Sequence, residues 1–305
     1  MLRSVEQAYE AWELEKSDYL PVMSAFVNRR AVLGTQHGKE QVIAPILAGQ
    51  LGITLERVDI DTDAFGTFTR ERARQGTAHD AARRKAKAAL AAQPGVRLAV
   101  ASEGSFAPHP EIPFVMAGAE LVLLLDTEQS LEIWGHDVTL ETNAASAVVR
   151  SVQEALAFAA RVQFPSHALV VMGMRGTEPD VQVALHKGVH NEAALVAYLE
   201  PLLATRGQAW IESDMRAHMN PTRMRSIERA TQMLCTTAHR TCPRCERPGF
   251  ELVDVVRGIP CAWCGTPTQR IRADVLRCAG CTFSEQRLRE VPPEASPAEC
   301  DRCNP

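Results

Sequence analysis

The sequence lacks any apolar run that could cross a bilayer. Its longest candidates, residues 121–125 and 168–174, have only the length of strands, whereas a membrane-spanning helix needs about 20 residues. The opening segment, MLRSVEQAYEAWELEKSDYL, also lacks the apolar stretch of a secretory signal. These absences predict a protein that has no membrane partner.

Cysteine is nearly absent from the first 241 residues. Of the nine cysteines, only Cys235 lies there, and we expect it to be a small buried side chain. A secreted disulfide framework would scatter its cysteines along the chain. The pattern therefore predicts a reducing, cytoplasmic location.

Surplus positive charge is also missing. The formal net charge is −4, and residues 236–305 contain ten Arg, no Lys and nine Asp or Glu. Binding to a phosphate backbone requires excess Lys or Arg. Duplex binding by this segment would therefore need a local arginine patch.

Four Cys-x-x-Cys pairs dominate the end of the chain. Each pair can deliver two thiolates from one turn, and zinc prefers four such ligands in a tetrahedron. We therefore predict two closed, structural zinc sites that leave no position for a catalytic water. The first two pairs read as one ribbon and the last two as another, with an interleaved arrangement as the alternative. The predicted ligands are Cys242, Cys245, Cys261, Cys264, Cys278, Cys281, Cys300 and Cys303.

Strand and helix patterns alternate from about residue 30 to residue 235. RAVLGT is typical of a buried strand, and GTAHDAARRKAKAALAAQ of a helix. The alternation predicts an α/β fold with a mixed, mainly parallel sheet covered by helices, followed by a C-terminal double zinc ribbon. The predicted domains are an N-terminal helical extension at residues 1–28, an α/β domain at 29–238 and a tandem zinc-ribbon module at 239–305.

The segment GTQHGKE lies between a predicted strand and a predicted helix. Backbone N–H groups at such a turn can hold an anion, and Lys39 adds positive charge. His37 belongs to the same predicted phosphate site. An ordinary strand-to-helix turn is the alternative, because the glycine spacing and Glu40 do not match a Walker A loop.

Carboxylates are concentrated in two other segments. DIDTD carries Asp59, Asp61 and Asp63, and ASEGSFAPHP puts Glu103 at the end of a buried strand. Such oxygen ligands suit a hard cation such as Mg²⁺, and open α/β sheets place their ligands at strand ends. A solvated sheet edge and a structural turn are the respective alternatives.

The segment ESDMRAHMNPTR runs from a predicted strand into a predicted helix. Arg216, His218 and Arg223 accompany the helix N-terminus, which suits a phosphate or carboxylate group. Surface salt bridges would explain the same residues without a ligand.

Several of these motifs together resemble a bacterial family of domains of unknown function. They are GTQHGKE, DTDAFGTFT, ASEGSFAPHP, SDMRAHMNPTRM and the closing cysteine pairs. Arg70 and Ala107 depart from that family's pattern, because each stands where glycine is usual. The resemblance implies no assigned activity.

The N-terminal half is also distantly similar to the inosine triphosphate pyrophosphatases. That similarity rests on the TQHGK turn, the GTFTRE segment with its following helix, and the strand that ends in SEG. It implies that Lys39 binds phosphate, that Glu71 and Glu103 hold Mg²⁺, and that Lys85 or Lys87 reaches the triphosphate. It also implies that His218 and Arg223 face the base.

These observations lead to three functional hypotheses. The first is a phosphate- or nucleotide-binding domain acting as a Mg²⁺-dependent nucleoside triphosphate pyrophosphatase, with Asp61, Asp63, Glu71 and Glu103 as catalytic residues. The second is a non-catalytic adaptor whose zinc ribbons bind a protein or RNA partner. The third is a hydrolase of another ester that uses Ser102 or His109.

Overall fold

The computed structural model describes residues 25–109 and 113–305. The predicted N-terminal helical extension lies outside these residues as far as residue 24. The chain divides into two compact units. Residues 28–129 and 134–235 form one unit, and residues 25–27, 130–133 and 236–305 belong to the other.

The first five strands of the chain form one sheet. Their order in the sheet is β2-β1-β3-β4-β5. Helix α1 (Glu40–Leu51) connects β1 to β2, and helix α2 (Ala78–Ala92) precedes β3. The strands are β1 (Arg30–Gly34), β2 (Thr54–Val58), β3 (Leu98–Pro108), β4 (Met116–Asp126) and β5 (Leu131–Thr139).

The α/β class is confirmed, but the expectation of a mainly parallel sheet is wrong. Strand β1 pairs in parallel with β2 and β3, whereas β3 and β4 form a long antiparallel pair. The reason is the short connection between β3 and β4. A parallel crossover needs about a dozen residues or more, and only residues 109–115 separate the two strands.

A second sheet, whose strands pair antiparallel, lies in the unit of residues 28–129 and 134–235. Its strands are β6 (Ser146–Val149), β7 (Leu169–Arg175), β8 (Glu178–Val189) and β9 (Ala209–Ser213), in the order β6-β9-β7-β8. Three helices alternate with or follow these strands, namely α3 (Val152–Arg161), α4 (Glu192–Arg206) and α5 (Pro221–His239). The sequence patterns predict these elements except β8 and β6, because they assign the residues of β6 to the helix that follows it.

Each of these two sheets has its own apolar cluster. Alanines spaced along one face of α2, including Ala82, Ala86 and Ala89, pack with residues of β1, β3 and β4. Their small side chains let the helix lie close to the sheet. Helices α3 and α4 contribute Phe158, Leu195 and other side chains to the cluster on the second sheet.

The other unit contains a three-stranded antiparallel sheet. Its strands are β10 (Phe250–Arg257), β11 (Ile271–Cys278) and β12 (Ser284–Leu288). Within residues 25–109 and 113–305, no helix has both the length and the apolarity required to span a bilayer.

Candidate functional site

A polar pocket with a cavity volume of about 40 Å³ lies beyond the carboxyl end of β1. Strand β1 stops at Gly34, whereas its neighbour β3 continues to Pro108. Ser102 and Glu103 therefore extend past the end of β1 and line the pocket together with Thr35. This volume is below the range of sites that enclose a whole small-molecule ligand, so the pocket suits one small anionic group.

Positive charge dominates this pocket. Two carboxylates, Asp63 and Glu103, line it. They are outnumbered by five cationic side chains, three from α2, β8 and α5 and two from connecting turns: Lys85, Lys187, Arg223, Lys39 and Arg216. Such an excess of cations favours an anionic ligand.

Lys39 is the most perturbed of these cations. Its side chain is 7% exposed, and its ammonium lies 2.9 Å from the Ser102 hydroxyl and 3.2 Å from the Ser102 carbonyl oxygen. Burial, with the positive charges of Arg223 and Lys85, lowers the pKa of Lys39 to about 7. A bound anion would favour the ammonium form and so raise the pKa of Lys39 again.

Glu103 is a buried partner for two cations. Its carboxylate accepts a hydrogen bond from Lys85 and a second, at 3.4 Å, from Arg74. Burial alone would raise the pKa of Glu103, but Lys85, Lys39 and Arg223 together lower it. The residue is therefore a carboxylate whose charge helps to hold the cations in place.

Arg223 is fixed by a carboxylate that the sequence analysis did not identify. Its guanidinium donates to both oxygens of Glu120 and to the Met215 carbonyl, and both side chains of the ion pair are almost fully buried. Gly104 makes room for this pair, because a Cβ there would lie 2.3 Å from Glu120 Oε1 and 2.7 Å from Arg223 Nη2.

Arg216 forms a second ion pair, with the buried carboxylate of Asp214. Asp214, with a fully buried side chain, accepts from Arg216 Nη2 at 2.6 Å and from the Gly188 N–H at 3.0 Å. This pair positions Arg216 beside Lys187, its neighbour in the pocket lining.

Two histidines stack at the pocket. The rings of His37 and His218 are parallel, with centroids 5.0 Å apart. Burial, followed by the charge of Lys39, lowers the pKa of His37 to about 3, and burial with the charge of Arg216 lowers the pKa of His218. Both rings are therefore neutral near pH 7.

The loop of residues 66–74 carries Phe68 against the pocket. The Arg223 guanidinium lies over the Phe68 ring, 4.4 Å from its centroid. Arg70, which stands where the resembled family has glycine, adopts a φ of 66° and pairs with Glu212 at 3.1 Å. The position thus has the backbone conformation that glycine adopts most easily.

The structure brings most of the predicted phosphate-binding residues together. Lys39, His37, Arg216 and Arg223 all line the pocket, and His218 stacks on His37. Lys85 lines it too, whereas Lys87 is exposed and does not.

The predicted carboxylates are arranged differently from a magnesium site. Asp61 accepts backbone N–H bonds at the start of a 3₁₀ turn, and Glu71 pairs with Lys187 at 2.8 Å. Glu103 is paired as described above, and Asp63 alone of the remaining predicted acids lines the pocket. In the part of the chain that the structure describes, these acids form no group with the spacing of metal ligands.

Two groups of four cysteines could each hold a metal ion. The first group is Cys242, Cys245, Cys278 and Cys281, and the second is Cys261, Cys264, Cys300 and Cys303. Within each group all four Sγ atoms lie within 4.8 Å of one another, and the closest pairs are 3.6–3.9 Å apart. A tetrahedron with bonds of about 2.3 Å to sulfur has edges of about 3.8 Å.

The pairing of the cysteine turns is interleaved, so the expected sequential pairing is wrong. Strands β10 and β11 are antiparallel, and Phe250 at the start of β10 lies opposite Cys278 at the end of β11. The first and third turns therefore meet at one end of this strand pair. The second turn follows β10 at the other end, where Cys261 bridges to Ala295 and meets the fourth turn.

Sequence reasoning missed two residues that the pocket requires. Lys187 lies in β8, a strand that the patterns did not identify, and nothing in its local sequence indicates a site. Glu120 opens the apolar run ELVLLLD. An acid at that position could have indicated a buried ion pair, although not its partner.

Comparisons with known proteins gave three findings. A model of a family described as "Domain of unknown function (DUF6671)" matches residues 85–305. A search of curated proteins gave no match. One similar solved structure is "Crystal structure of protein VC0702 from Vibrio cholerae", with 10% identity, 68% of this chain and 93% of that chain covered, and a TM-score of 0.31. At that TM-score the likeness supports no conclusion about this chain.

Proposed function

The chain belongs to the DUF6671 family, and we propose that it binds the phosphate groups of a nucleotide in the pocket beyond β1. The single observation that carries this proposal is the set of five cationic side chains that line the pocket. Three of them, Lys39, Lys85 and Arg223, are buried. Four of the five have carboxylate partners, namely Glu103, Glu71, Asp214 and Glu120. Buried Lys39 instead contacts Ser102, and its buried charge is costly unless an anion compensates it.

The nucleotide part of the proposal comes from the similarity to inosine triphosphate pyrophosphatases. Hydrolysis by that chemistry would use Mg²⁺, and the carboxylates around the pocket do not fit a resident magnesium ion. Glu103 and Glu71 are engaged with Lys85 and Lys187. We therefore propose that binding, without a metal-dependent step, is the function that the geometry favours.

Sulfate binding tests the pocket directly. Sulfate resembles phosphate but does not titrate near neutral pH, so calorimetry at several pH values isolates the protein's own protonation. Lys187→Met should weaken sulfate and nucleotide binding, whereas Lys87→Met, which removes an exposed lysine outside the pocket, should leave both unchanged. Equal effects of the two variants would refute the proposed site.

The pH dependence has a definite sign. The anion favours protonated Lys39, whose pKa is about 7 in the free protein. Sulfate affinity should therefore rise as pH falls, by about tenfold between pH 8 and pH 6. Lys39→Arg keeps its charge throughout this range, so its sulfate affinity should not change with pH.

We further propose that each cysteine group holds a structural zinc ion in a zinc ribbon. The supporting observation is the donor set of four thiols at tetrahedral spacing. Trp263, 80% exposed beside Cys264, supports a second candidate role for this unit in binding a protein or RNA partner. Loss of partner or RNA binding in Trp263→Ala, with zinc content unchanged, would support that role.

A further inference from the structure

The contact between Lys39 and Ser102 exceeds what phosphate binding requires. Both side chains line the pocket and are almost fully buried. Lys39 Nζ lies 2.9 Å from Ser102 Oγ, which is within the range for proton transfer between a nucleophile and its base. A buried ammonium needs a hydrogen-bond acceptor, which the Ser102 carbonyl oxygen supplies. The hydroxyl in addition carries a proton that a neutral amine can accept.

The surroundings of Lys39 allow it to act as a base. The charged groups that face it are Arg223 from α5, Lys85 from α2, Glu120 from β4 and Glu103 from β3. Burial and the two cations outweigh the two carboxylates and lower the pKa of Lys39 to about 7. A neutral amine has two N–H donors and one lone pair. It can therefore donate to the Ser102 carbonyl oxygen while it accepts the Ser102 hydroxyl proton.

We propose that Ser102 is a nucleophile for phosphoryl transfer and that Lys39 is its general base. The proposal rests on the phosphate-binding function above. Ser102 Oγ forms a bond to the phosphorus of a bound phosphate ester or anhydride, and its proton passes to Lys39 Nζ. The bond from phosphorus to the leaving oxygen breaks, and that oxygen takes the electron pair.

Water completes the cycle. A water oxygen attacks the phosphorus of phosphoserine 102 and releases inorganic phosphate. Ser102 Oγ leaves with the electron pair and recovers its proton from the Lys39 ammonium, and the proton lost by water leaves with phosphate or solvent. No oxidant, reductant or resident metal enters this balance.

The charge of the pocket selects phosphoryl transfer over ester hydrolysis at carbon. The transition state of phosphoryl transfer spreads negative charge over three equatorial oxygens, and Lys85, Lys187, Arg216 and Arg223 remain to meet them. His109, the other residue that the sequence suggested beside Ser102, does not line the pocket.

The test uses the full chain with p-nitrophenyl phosphate and with ATP labelled on its terminal phosphate. After an acid quench, intact mass spectrometry should show one added phosphoryl group, and peptide mapping should place it on Ser102. Ser102→Ala should lose the adduct completely. Ser105→Ala, which removes another hydroxyl of β3 that Arg74 contacts outside the pocket lining, should retain it.

Kinetics separate a base from a structural lysine. Lys39→Arg keeps the charge but cannot accept the proton, so turnover should fall by about 10²-fold or more. In the wild type, kcat/KM should rise with pH through about 7, the pKa of Lys39 in the free protein. The profile of kcat should be shifted to higher pH, because bound phosphate stabilises the ammonium.

Sulfate binding distinguishes failure of this inference from failure of the proposed function. Sulfate binding without an adduct or turnover from either probe would overturn the nucleophile while leaving the phosphate site intact. An adduct that persists in Ser102→Ala, or that maps elsewhere, would overturn it too. A wild-type chain that binds neither sulfate nor nucleotide would defeat both.

Discussion

Replacing Lys39 with methionine should stabilise the free protein at pH 7. The buried ammonium has a pKa of about 7 instead of its ordinary 10.5. Since each pH unit corresponds to about 1.4 kcal/mol, this lysine costs the folded state roughly 4 kcal/mol at pH 7. Losing its two hydrogen bonds to Ser102 offsets about 1–2 kcal/mol. We therefore expect a net gain of about 2–3 kcal/mol in the free energy of unfolding.

The gain should depend on pH with a fixed sign. Between pH 7 and 10.5 the unfolded chain holds the Lys39 proton and the folded chain does not, so wild-type stability rises with pH. The cost should fall to about 1.4 kcal/mol at pH 9.5, and the advantage of Lys39→Met should be nearly gone there. Below pH 7 the advantage should be complete.

Urea unfolding followed by tryptophan fluorescence measures both effects, because Trp134 and Trp210 lie in the same unit as Lys39. Lys85→Met is the matched control. It removes another buried lysine, but one that pairs with Glu103, and leaving that carboxylate with fewer cations should destabilise the protein by about 3 kcal/mol. A Lys39→Met protein destabilised as much as Lys85→Met, or a gain that is unchanged at pH 9.5, would refute the reasoning.

Two further predictions concern other parts of the molecule. Elemental analysis should find two zinc ions per chain in the wild type. It should find one in Cys242→Ser/Cys278→Ser, where both changes lie in one group, and none in Cys242→Ser/Cys261→Ser, where each group loses a ligand. Equal loss of zinc in the two double variants would contradict the interleaved pairing. Gly104→Ala should destabilise the protein by roughly 1–3 kcal/mol and weaken sulfate binding, because its Cβ would displace the Glu120 carboxylate; unfolding and binding curves that match the wild type would show that the ion pair has room to move.

The residues of the pocket could be predicted where local sequence carried the signal. Lys39 follows strand β1, Glu103 lies near the end of the buried part of β3, and Arg223 lies in the first turn of α5. Because strand ends and helix N-termini gather ligands in α/β sheets, each could be identified alone. The structure places all three in the lining of one pocket.

The unpredicted features depend on pairing between distant segments. Glu120 meets Arg223 because β4 returns antiparallel beside β3, with Glu120 opposite Gly104. Lys187 reaches the pocket from β8, whose place in the sheet no local pattern specifies. Similarly, the number of Cys-x-x-Cys turns can be counted from local sequence. Which turns meet, however, depends on the antiparallel register of β10 and β11.

The interleaved cysteine pairing also has a consequence for the order of assembly. The segment between Cys245 and Cys278 contains the whole second turn, Cys261–Cys264, so the chain spans that the two groups close overlap. Closing the first group brings the ends of this segment together and favours the pairing of β10 with β11. This restricts where the second turn can lie and lowers the entropic cost of closing the second group. Metal uptake should therefore be cooperative. Native mass spectrometry during a zinc titration should show chiefly empty and doubly loaded chains, with little of the singly loaded form.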